Sequence, residues 1–210
     1  MKKINELFDI ENTFFEKYLD KYKFPCEVLL NINNIIEEMT RDLDKSEYRE
    51  ISENIFVHKT VKIGNGVEIL PPAIIMKNTE LRHNAYIRGN VIIGEGCVIG
   101  NSSEIKNSII IGNSQIPHFN YVGDSILGNN VHLGAGVILA NLRFDNKNVK
   151  VEKEETTLRK IGAFIGDNTQ IGCNSVVFPG TVILKNSLVM PLSKVNGLYE
   201  NKEEIRIERI

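Results

Sequence analysis

Residues 81–111 read LRHNAYIRGNVIIGEGCVIGNSSEIKNSIII, with an aliphatic side chain at every sixth position: Leu81, Ile87, Ile93, Ile99, Ile105 and Ile111. The comb extends back through Ile75, Ile69 and Ile63 to Val57, and returns at Leu127, Leu133 and Leu139, then at Ile165, Ile171, Val177, Ile183 and Val189. Gly often follows the aliphatic, as at Gly94, Gly100 and Gly134. A small or β-branched residue often stands four places on, as at Ala85, Cys97, Ser103 and Thr169. A period of six is neither the 3.6 of an amphipathic helix nor the 2 of a half-buried strand. It suits a solenoid whose six-residue units each supply one short strand and a corner, so that three units close a triangular coil. The aliphatics then point inwards and the smaller residues fill the corners.

The comb is interrupted twice. Ile111 and Leu127 are 16 residues apart, two short of a multiple of six, and Leu139 and Ile165 are 26 apart, two over. The second offset restores the register lost in the first. Such interruptions are expected where loops leave the wall to build a site. The polar and basic stretch 141–160 is expected to project as an inserted loop within a solenoid spanning 51–192.

Residues 1–50 lack the comb. Phe14, Phe15 and Tyr18, then Val28, Leu29, Ile32, Ile35, Ile36 and Met39, recur at helical spacing on either side of Pro25. They predict two helices that cap the open first coil. Residues 193–210 are expected to form a charged C-terminal tail.

The net charge of −2, with basic and acidic residues interspersed, offers no broad cationic face for nucleic acid or an anionic membrane. Cys26, Cys97 and Cys173 are widely spaced and odd in number, which predicts neither a disulfide framework nor a zinc site and suits a reducing cytoplasm. Neither a signal segment nor a membrane-spanning apolar run is expected.

Arg88 and Lys106 each follow an inward aliphatic and lie eighteen residues apart. They are expected to point outwards from successive coils, ~4.8 Å apart. At ~5 Å and an effective dielectric of about 20 they repel by roughly 3 kcal/mol, which a bound phosphate would reverse. Glu95 or Glu104 could neutralise them instead. His118, in Pro117-His118-Phe119-Asn120-Tyr121-Val122-Gly123-Asp124, falls inside the first interruption and is the candidate general base. His132 is a weaker candidate, while His58 and His83 are expected to face solvent. Four histidines without a carboxylate cluster predict no metal site. Cys97, at an inward corner, is expected to serve the core rather than act as a nucleophile.

Several motifs together resemble the acetyltransferase half of the bifunctional, archaeal-type sugar-1-phosphate nucleotidyltransferase/amino-sugar-1-phosphate N-acetyltransferases, which are hexapeptide-repeat acyltransferases. They are Tyr86-Ile87-Arg88-Gly89, Glu104-Ile105-Lys106, the Pro117–Asp124 segment, Leu133-Gly134-Ala135-Gly136, Ala140-Asn141-Leu142-Arg143-Phe144-Asp145, and Lys160-Ile161-Gly162-Ala163-Phe164-Ile165-Gly166-Asp167. The resemblance implies a left-handed parallel β-helix, mainly β. It also implies His118 as base, the Ala135 N–H as oxyanion donor, Arg88 and Lys106 on the sugar phosphate, Tyr121, Asn141 and Lys147 on the amino sugar, and Lys150 as a further basic, substrate-binding residue of the loop. The site of that family forms between subunits of a homotrimer, with acetyl-CoA along the later coils.

The bacterial bifunctional enzymes carry Asn where this chain has His132 and Tyr where it has Leu142. No Gly-rich nucleotidyltransferase signature precedes the repeats, so the chain is expected to modify a sugar phosphate without activating it. The expected reaction is acetyl-CoA-dependent N-acetylation of glucosamine 1-phosphate or galactosamine 1-phosphate. The alternatives are another sugar acceptor, or a catalytically silent trimeric subunit that partners a separate nucleotidyltransferase.

Overall fold

The computed structural model describes residues 1–200. From Ile55 onwards short strands follow one another around the three sheets of a β-solenoid. Sheet A has nine strands, from Tyr48–Ser52 to Leu198–Tyr199. Sheet B has seven, from Lys62–Ile63 to Leu188–Val189, and sheet C has seven, from Glu68–Leu70 to Lys194–Val195. Pairing within these sheets is parallel except for Tyr48–Ser52, which runs against Ile55–His58.

The comb builds one interior. Leu81, Ile87, Ile93, Ile99, Ile105, Leu127, Leu133, Leu139, Ile165 and Ile171 are all buried in the same cluster. Each such side chain contributes roughly 1.5–3 kcal/mol on leaving water. Hydroxyls at the corners are satisfied by carbonyls of the following coil, as where Thr79 donates to the Gly94 carbonyl at 2.8 Å.

Ile111 departs from the expected register. Its neighbour Ile110 takes the inward place and the series continues through Ile116 and Val122 to Leu127. The first interruption is therefore two successive coils, each one residue short. Ile93, Ile110 and Leu127 stack at steps of 17, against 18 for Val57, Ile75 and Ile93 before them. No loop leaves the wall here: Gln115–His118 and Tyr121–Gly123 continue sheets B and C. The shortening brings backbones together, and a Cβ on Gly100 would overlap the Pro117 carbonyl.

The second interruption is a true insertion. Leu127 pairs with Ile165, a step of 38, which is twenty more than the usual 18. The inserted residues form a small hairpin, Lys150–Val151 against Glu154–Glu155. They fold back rather than project, because Val149 and Val151 are apolar and wholly buried on the flank of sheet A. Glu152 accepts the Lys2 N–H, and the Met1 ammonium pairs with Glu154 at 2.6 Å.

Among the described residues four short helices stand where two were expected: α1 (Ile4–Leu7), α2 (Glu16–Leu19), α3 (Pro25–Leu30) and α4 (Ile32–Asp42). They lie along the outer face of sheet A, against Ile74, Ile92, Ile109, Ile126, Phe164 and Val182, and not over the open first coil. These outward residues directly precede comb positions on successive coils and form a continuous apolar stripe. Covering that stripe removes far more apolar surface from water than closing one coil end. Ile63, in the first coil, remains 45% exposed.

At the other end the coil runs past residue 192 through Lys194–Val195 and Leu198–Tyr199, and Tyr199 packs against the core. The remainder of the expected tail, 201–210, lies outside the described residues. No helix among the described residues is long and apolar enough to cross a membrane.

Candidate active site

Tyr86, Arg88, Glu104, Lys106 and Tyr121 share the outer face of sheet C, because Ile87, Ile105 and Val122 between them point inwards. Glu104 lies between Tyr86 and Tyr121 in the ladder, and Lys106 is one rung from Arg88. The expected stack of cations is present, but each has a carboxylate partner. Arg88 Nη1 donates to Glu104 Oε1 at 2.7 Å, and its guanidinium lies 5.8 Å from the centre of the Tyr86 ring. Lys106 Nζ lies 3.4 Å from Asp124 Oδ2, while Glu95 holds Lys77 at 3.1 Å instead.

Asn141, the first residue of the insertion, donates from Nδ2 to both Tyr121 Oη at 3.1 Å and Asp124 Oδ2. Space for this contact comes from Gly123, where a Cβ would stand 2.5 Å from Tyr121 Oη. Burial, with Asp124 and Glu104 near, raises the Tyr121 phenol above its ordinary value and keeps it a donor. Asp124 was legible only as the end of a motif. Its signal is spacing, because it falls one coil beyond Lys106 and Asn107.

His118 ends its strand in sheet B, three residues before Tyr121, and is exposed. Its N–H donates to Asn120 Oδ1 at 3.1 Å, and its carbonyl accepts the Gly136 N–H at 3.0 Å. Asn120 Nδ2 also donates to the Gly134 carbonyl at 2.7 Å. The turn 134–136 of the next coil is thus fastened to the His118 backbone at two points. Among the described residues the Ala135 N–H donates to no acceptor and the His118 imidazole makes no hydrogen bond.

Other sequence candidates fall elsewhere. Lys150 pairs with Glu155 at 2.9 Å and Lys147 is exposed; among the described residues neither forms a hydrogen bond or ion pair with Arg88, Lys106, Tyr121 or Asn141. His132 lies 3.3 Å from Gln115 Oε1. His58, expected to face solvent, is only 7% exposed, between Thr60 and Glu47 with Tyr48 edge-on to its ring. It sits where the antiparallel first strand covers sheet A, while His83 is exposed. Cys97 is fully buried and its thiol is pushed up to about 12 by desolvation, which suits a core residue and not a nucleophile. Among the described residues no three His, Cys, Asp or Glu side chains converge as metal ligands.

Residues 69–161 match the family model described as the GMPPB C-terminal domain. The bifunctional protein GlmU of Methanococcus aeolicus is 42% identical over 105 residues, which cover 46% of this chain and 26% of that protein. The bifunctional sugar-1-phosphate nucleotidylyltransferase/acetyltransferase of Sulfurisphaera tokodaii is 44% identical over 87 residues, covering 40% of this chain and 22% of that protein. The chain thus spans about a quarter of the length of these relatives. Among solved structures, PerB of Caulobacter crescentus in complex with CoA and GDP-perosamine aligns over 67% of this chain and 50% of its own, at 18% identity and a TM-score of 0.40. The sequence relatives agree with the resemblance carried by the hexapeptide motifs. The chain is a hexapeptide-repeat β-solenoid, similar over its central coils to bifunctional enzymes whose names join sugar-1-phosphate nucleotidyl transfer to acetyl transfer.

Proposed function

We propose that this chain is an acyltransferase that moves the acetyl group of acetyl-CoA onto the amine of an amino-sugar 1-phosphate, glucosamine or galactosamine 1-phosphate. The observation that carries the reading is the fastening of the Gly134-Ala135-Gly136 turn to His118. It sets a backbone N–H with no acceptor among the described residues on the coil next to an exposed imidazole, three residues before Tyr121 of the sheet face that also bears Arg88 and Lys106.

In this reading His118 takes a proton from the amine, whose lone pair attacks the thioester carbonyl. The Ala135 N–H stabilises the oxyanion. Collapse re-forms the carbonyl, breaks the C–S bond and releases coenzyme A as its thiol, with the proton returned by His118. Arg88 and Lys106 take the phosphate, exchanging part of their pairing with Glu104 and Asp124 for it. Lys147 and Lys150, which among the described residues form no hydrogen bond or ion pair with these groups, act across the subunit boundary of a homotrimer.

Thiol release from acetyl-CoA tests the reading. The wild type should turn over with an amino-sugar 1-phosphate, and His118→Ala should lower kcat by about 10²–10⁴. Equal rates would remove the proposed base; no release by either protein would favour a silent subunit. A second reading, an acceptor without phosphate, is favoured by the carboxylate partners of both cations. Turnover of glucosamine itself in the same assay would decide for it.

A further inference from the structure

We infer that Asp124 is the positioning residue for the acceptor side of this site, acting through Lys106 and Asn141. The inference rests on the transferase reading above.

Asp124 is 5% exposed, and side-chain donors from two separate segments converge on its carboxylate. Asn107 Nδ2 donates to Oδ1 at 2.8 Å, Asn141 Nδ2 donates to Oδ2, and Lys106 Nζ approaches Oδ2 to 3.4 Å. Its backbone joins the same pieces: the Asp124 N–H donates to the Lys106 carbonyl at 2.9 Å, and its carbonyl accepts the Gly162 N–H at 2.7 Å. One residue therefore links the preceding coil to the start of the insertion and to its far side.

The backbone bonds alone would close the insertion, since the Ile161 N–H also donates to the Asn141 carbonyl at 3.1 Å. What the carboxylate adds is direction. It holds the Asn141 amide against Tyr121 and the Lys106 ammonium at the edge of the sheet C face. The carboxylate accepts from all three donors as they stand and carries the charge that pairs with the Lys106 ammonium; an Asn would meet the same hydrogen bonds only with the Asn107 amide turned over, and without that charge.

The test is Asp124→Asn in the full chain, with KM and kcat measured separately for glucosamine 1-phosphate and acetyl-CoA. Asn tolerates the left-handed backbone at this position (φ 49), so the substitution spares the turn. The acceptor KM should rise by about 10- to 100-fold, the loss expected for charged hydrogen bonds, with the KM for acetyl-CoA unchanged. A wild-type acceptor KM, or a fall in kcat with both KM values unchanged, would overturn the inference. Should that variant fail to fold, Asn107→Gly keeps the turn (φ 46) and frees one edge of the carboxylate. It should raise the acceptor KM by about three- to tenfold, and no change would count against the inference. Inactivity of the wild type on amino-sugar phosphates would sink the transferase reading itself, whereas an active wild type with insensitive variants sinks only the role of Asp124.

Discussion

Gly100 lies against Pro117 on the next coil so closely that any side chain would overlap the Pro117 carbonyl. This contact marks one of the two short coils and sits one residue before His118. Gly100→Ala must push the Pro117 backbone outwards, at a cost of about 1–3 kcal/mol. Thermal unfolding should show a lower Tm, and thiol release should fall because His118 moves with its neighbour. An unchanged Tm and rate would mean that the wall yields elsewhere.

Arg88 and Lys106 make a prediction about the acceptor rather than about the chemistry. Replacing either with Ala leaves Glu104 or Asp124 without its cation and, in the proposed reaction, takes away a group that would hold the phosphate. The KM for glucosamine 1-phosphate should rise by about 10- to 100-fold, with little change for unphosphorylated glucosamine. Equal losses on both acceptors would show that the two cations do not read the phosphate.

Phe164, wholly buried between sheet A and the helices, ties the N-terminal segment to the coils. Phe164→Ala should destabilise by about 3–5 kcal/mol. Hydrogen exchange should show the loss first in α1, whose Leu7 carbonyl accepts the Asp167 N–H three residues beyond Phe164, and only later in Ile165 and its rung. Uniform loss across both would show that helices and coils unfold as one unit.

Asp167 is 2% exposed and accepts the Asn129 and Asp9 N–H groups, but desolvation outweighs these bonds and raises its carboxyl above the ordinary value. The folded chain therefore binds this proton more readily than the unfolded one. The associated stability is present at low pH and is lost as pH rises through the raised value. The Tm of Asp167→Asn, relative to wild type, should accordingly be higher at pH 7 than at pH 4. The opposite trend would mean that the Lys185 ammonium, 3.9 Å away, dominates.

The coil was legible because its interior repeats at a fixed step, and the length of the insertion followed from the 26 residues between Leu139 and Ile165, twenty more than one step of six. The register at Ile110 and Ile111 was not, since three consecutive isoleucines hide which one turns inwards. The seat of the helices was present as a second, weaker repeat. Ile74, Ile92, Ile109, Ile126, Phe164 and Val182 are apolar just before a comb residue on one sheet, and a search at six-residue steps passes over a signal that recurs once per coil. Arg88 and Lys106 were placed by the same coil arithmetic. Their partners were split between an anticipated residue, Glu104, and an unanticipated one, Asp124, whose role depends on a turn geometry that side-chain type does not announce.

The insertion begins and ends beside Asp124, and the strands beyond it stack as though it were absent. Its content is thereby uncoupled from the indexing of everything downstream. Exposed residues within it, such as 144–148, can be gained, lost or exchanged while the later rungs keep their alignment.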